Sequence, residues 1–66
     1  MTVAEALQEL RELLAHELSR APGDIRWPLV RSMLWDVRFL HEDGYCKPLI
    51  ELRIRRYKRR AGLRVV

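Results

Sequence analysis

At 66 residues the chain has room for one domain, and a domain this short buries only about 60% of the surface its unfolded form exposes. Cys46 is the only cysteine, which excludes an internal disulfide and leaves association with a second copy or a partner as the expected supplement to a small core. The net charge of +4 is unevenly spread: residues 1–46 carry five basic and eight acidic side chains, whereas residues 47–66 carry eight basic groups against Glu51 alone.

Residues 2–20 read as an amphipathic helix. Val3, Leu7, Leu10 and Leu14 recur at helical spacing, and Ala6, Leu13 and Leu18 widen the stripe. At 100° per residue these side chains fall within an arc of roughly 140°, the width of a core-facing helix. Thr2 followed three residues later by Glu5 is a capping box. Glu17 lies inside the apolar arc. A carboxylate buried there needs a partner, and an arginine from the basic segment is the expected one. The alternative is that the stripe ends a turn earlier and leaves Glu17 in water.

The run Ala21-Pro22-Gly23-Asp24 is a turn signal, and a second helix is expected over residues 27–42. Pro28 suits its first turn, and Gly44 stands where a left-handed stop belongs. Leu29, Met33, Val37 and Leu40 form its core stripe, broadened by Val30 and Leu34. Trp35 and Phe39, four residues apart, project from nearly the opposite side among Arg31, Arg38 and Glu42. The helix therefore has two apolar faces. One is expected against the first helix and the other against the third segment or a second molecule.

The basic segment, residues 47–66, admits two readings. As a helix over residues 48–61 it begins at Pro48, aligns Ile50, Ile54, Tyr57 and Ala61 on one stripe, and stops at Gly62. As a strand it alternates Ile50, Leu52 and Ile54 with charged residues, and residues 63–66 return as a β-hairpin wing. The capping residues favour the helix. The expected fold is thus all-α, a single small domain in which an N-terminal helical hairpin carries a basic third helix, and which pairs as a homodimer.

Function classes follow from the same residues. Glu5, Glu9 and Glu12 interrupt any leader-like apolar stretch, and no run approaches the roughly 18–20 apolar residues that span a bilayer. A lone cysteine fits a reducing cytoplasm. His16, His41 and Cys46 are the only soft ligands, and their spacing matches no tight metal motif. No nucleophile stands beside a base and an orienting group, and all three glycines stand alone, so no phosphate loop is present. We expect neither a cofactor nor enzymatic activity.

The informative constellation is Arg53, Arg55, Arg56, Lys58, Arg59 and Arg60, six cations in eight residues. Such a run repels itself and is relieved by a polyanion. DNA or RNA is the commonest, bound through phosphate contacts and counterion release. The competing reading is a protein-interaction module, such as an inhibitor, an antitoxin or an assembly factor. It would dock on a larger protein through Trp35 and Phe39 with Arg31 and Arg38 as a rim. Attachment to an anionic membrane surface ranks behind both, because the Ile50/Ile54/Tyr57 stripe is only weakly apolar.

Overall fold

A computed structural model describes residues 1–43 and 48–63. Among them are three α-helices, α1 (Val3–Leu18), α2 (Trp27–Asp43) and α3 (Pro48–Arg60), with a short 3₁₀ turn (Pro22–Asp24) between the first two. The all-α expectation holds, and of the two readings of the basic segment the helix is the one adopted. The readings of Gly44 as a helix stop, of Cys46 as a soft ligand and of residues 64–66 as part of a returning strand lie outside the described residues.

Local chemistry accounts for the helix ends. The Thr2 hydroxyl accepts from the Glu5 N–H at 3.2 Å, and the Glu5 carboxylate accepts from the Thr2 N–H at 3.1 Å, closing the capping box. These bonds hold the Glu5 carboxyl below its ordinary range. At the far end of α3, Gly62 has φ +75°, with its N–H on the Arg59 carbonyl and the Leu63 N–H on the Lys58 carbonyl. That pair of bonds is a Schellman stop, which demands the left-handed conformation glycine adopts most readily.

Helix α1 packs against both other helices. Its most deeply buried apolar residues, Ala6, Leu10 and Leu13, meet Leu29, Met33 and Leu40 of α2 and Ile50, Ile54 and Tyr57 of α3. Val3, Leu7 and Leu14 flank this centre. Two expectations for α2 need correction. Leu34 is 53% exposed, whereas Asp36 is buried. The stripe is rotated toward Asp36 because α3 lies on that side and supplies a cation to receive it. His41, which helical spacing sets beside the core stripe, is exposed.

The buried acids organise the packing. Glu17 is 1% exposed and accepts from the Arg26 backbone N–H at 3.0 Å, from Nε at 3.2 Å and from Nη2 at 2.7 Å. Its partner is thus an arginine of the connecting segment, and not one from the basic segment as expected. The link to that segment is made by the same side chain: Arg26 Nη1 donates to the Arg60 carbonyl at 2.8 Å. Arg26, whose own carbonyl accepts the first bonds of α2, therefore ties the end of α1, the start of α2 and the end of α3 at one point. A connecting residue can do this because it sits where all three termini converge, and the last carbonyls of a helix have no intrahelical donor.

Candidate nucleic-acid interface

Helix α3 presents three faces. Its core face carries Ile50, Ile54 and Tyr57. Its flanks carry the charges that meet the other helices. On the α1 side, Lys58 pairs with Glu9 at 2.7 Å and Glu51 with the Met1 amino group at 2.8 Å. On the α2 side, Arg53 Nε donates to Asp36 Oδ2 at 2.9 Å and Nη2 donates to the Tyr57 hydroxyl at 3.0 Å. The Tyr57 hydroxyl itself donates to Asp36. Burial first, then this bond, pushes the Tyr57 phenol up to about 12, and the Asp36 carboxylate raises Arg53 above its already high value.

The six expected cations therefore divide. Arg53 and Lys58 are half-buried and matched by carboxylates of the same chain. Arg55, Arg56, Arg59 and Arg60 are exposed, Arg56 and Arg60 toward α2 and Arg55 toward α1, and among the described residues no carboxylate comes within ion-pair distance of any of them. Four guanidinium groups within two helical turns form a concentrated positive surface. Arg59 and Arg60, in the last turn, also complement the negative end of the helix dipole.

The structure also locates the second group of expected residues. Trp35 is 66% exposed and Phe39 is partly buried against the core. Arg38 lies over the Trp35 ring at 5.7 Å while its Nε donates to Glu42 at 2.9 Å. Arg31 is exposed on the same side of α2. Helix α3 does not cover this face. It reaches its edge with Leu49, so that Trp35, Phe39 and Leu49 border an open groove between α2 and α3.

Sequence reasoning missed Asp36 and Ser32. Asp36 sits three residues after Met33 and four before Leu40, a helical spacing that places it at the border of the stripe and was open to the same scrutiny as Glu17. Ser32 carries no signal of its own; it lines the basic half of the groove with Arg53, Arg56 and Arg60. Among the described residues no three His, Cys, Asp or Glu side chains gather as a metal set, and no helix is long and apolar enough to cross a membrane. No protein-family model, curated protein or solved structure matches the chain at a significant level.

Proposed function

We propose that this chain is a small cytoplasmic nucleic-acid-binding protein of regulatory or accessory role, with the outer surface of α3 against phosphates. The observation that carries the reading is the exposure of Arg55, Arg56, Arg59 and Arg60 without acidic partners among the described residues. Arg53 and Lys58, although cationic, are spent within the fold and act as supports for that surface. Arginine's planar fork suits bidentate contact with phosphate oxygens. Affinity from such a surface is electrostatic and falls with salt.

The test is a titration of labelled DNA and RNA across a salt series. Four phosphate contacts give a slope of log K against log salt of about −3 to −4. Changing Arg55, Arg56, Arg59 and Arg60 together to Ala should remove most of that slope. Failure of both nucleic acids to bind at low ionic strength, or indifference to the fourfold change, would overturn the reading.

A second reading is favoured by a separate observation. Trp27, Leu34 and Trp35 are each more than half exposed on the outward side of α2, beside Arg31 and Arg38. Apolar side chains of that size at one surface mark a protein interface, either with a larger protein or in a homodimer. Sedimentation at rising concentration tests the dimer: L34S should shift the chain toward monomer.

A further inference from the structure

The groove between α2 and α3 has a polarity of its own. Toward the start of α3 it is apolar, a recess of about 240 Å³ between Trp35 and Phe39 on one wall and Leu49 on the other, with Ile50 as floor. Toward the end of α3 it is cationic, a recess of about 210 Å³ lined by Ser32 of α2 and by Arg56, Tyr57 and Arg60 of α3. Arg53 belongs to both halves and joins them. The carboxylate of the apolar half, Asp36, lies outside the cationic recess and is held by Arg53 and Tyr57, which offsets its repulsion of an incoming anion.

A flat apolar surface beside a pair of exposed guanidinium groups is complementary to a flat, weakly polar ring attached to an anion. Both recesses lie open along the seam between the helices and neither encloses a ligand, so the groove suits one unit of a longer chain rather than a whole small molecule sealed inside. Beyond the groove, Arg59 carries positive charge onto the solvent side of α3, while Arg55 turns toward α1, where it shares a recess with Glu5, Glu9 and Glu51. That continuation suits a ligand with an anion on every unit, and it distinguishes nucleic acid from a peptide with one acidic side chain. Stacking on an aromatic side chain requires a base that is not already stacked in a duplex.

We propose that the α2–α3 groove is a single-nucleotide subsite for single-stranded nucleic acid. One base stacks on Trp35 beside Leu49, and the adjoining phosphate sits against Arg56 and Arg60 with the Ser32 hydroxyl as a further donor. This rests on the nucleic-acid reading above and adds to it a strand preference and a location.

The experiment compares single-stranded and duplex oligonucleotides of equal length, binding the full chain at low salt. W35A should weaken the single strand by about 5- to 150-fold, the range for losing one base–aromatic stack, and change the duplex less than about twofold. W35F should recover most of the loss. Trp35 is mostly exposed, so these variants keep their fold, and circular dichroism checks this. In a W27F background Trp35 is the sole tryptophan, and its emission should be quenched by the single strand and not by the duplex. Equal weakening of both oligonucleotides, or none, overturns the subsite and leaves the phosphate-binding reading standing. Binding of neither oligonucleotide overturns both. Trp35-dependent binding of a Glu/Tyr copolymer in place of oligonucleotide also overturns the proposal and makes the groove a peptide site.

Discussion

Replacing Glu17 tests the packing logic most directly. E17A removes a carboxylate that is 1% exposed and receives three bonds from Arg26. Breaking a fully buried ion pair costs about 3–5 kcal/mol. The Arg26 side chain is 36% exposed and can rehydrate, which lowers the expected cost to about 2–4 kcal/mol once the stranded N–H and lost bonds are counted. A 66-residue domain has about 3–10 kcal/mol in total, so E17A should remove a large share of it and lower Tm by at least about 8 °C. Urea and thermal unfolding followed by helical circular dichroism measure this. E17Q keeps the shape and one acceptor, and should cost less.

The same site has a pH signature. The bonds from Arg26, working against burial and helped by the charges of Arg26 and Arg20, hold the Glu17 carboxyl below its ordinary value near 4.5. A lowered value means stability that is complete above about pH 4.5 and drains as pH falls toward the folded value. The advantage of the wild-type chain over E17Q should therefore shrink as pH falls through that window, because protonated Glu17 resembles the amide. An E17A cost under about 0.5 kcal/mol, the scale of an ordinary surface change, would refute the reasoning. So would a gap to E17Q that does not vary with acid.

Tyr57 offers the alkaline counterpart. Y57F leaves Asp36 with Arg53 alone and should cost about 1–3 kcal/mol. With the phenol raised from 10.0 to about 12, its contribution is intact below about pH 10 and lost as pH rises toward 12; unfolding curves of Y57F should lack that share of the decline. G62A should cost about 1–2 kcal/mol through its left-handed backbone alone, since no atom lies within 4 Å of an added Cβ; melting temperature reads it, and an unchanged value would show that the helix stop is not held as described.

Much of this was legible because it is local. The Thr2–Glu5 box, the Gly62 stop and the Ile50/Ile54/Tyr57 stripe each depend on residues within a few positions of one another, whose geometry the helix itself sets. The cations without an acidic partner among the described residues were legible only as a group. Which of the six meet solvent depends on where Glu9 and Asp36 stand, and those acids lie far away in sequence. The rotation of α2 was not legible, since Leu34 and Asp36 border the same stripe and hydrophobicity favours the wrong one.

The amino-acid sequence by itself determined that this chain forms helices, where α1 starts, where α3 starts and stops, and that its last third is cationic, because capping, turn chemistry and charge are properties of short segments. The tertiary structure decided that Arg26 holds Glu17, that Arg53 and Lys58 are matched inside the fold, and that Trp35 borders the apolar half of a groove whose other half is cationic. Those outcomes turn on which helix faces converge, and a buried charge takes whichever partner that convergence brings within reach.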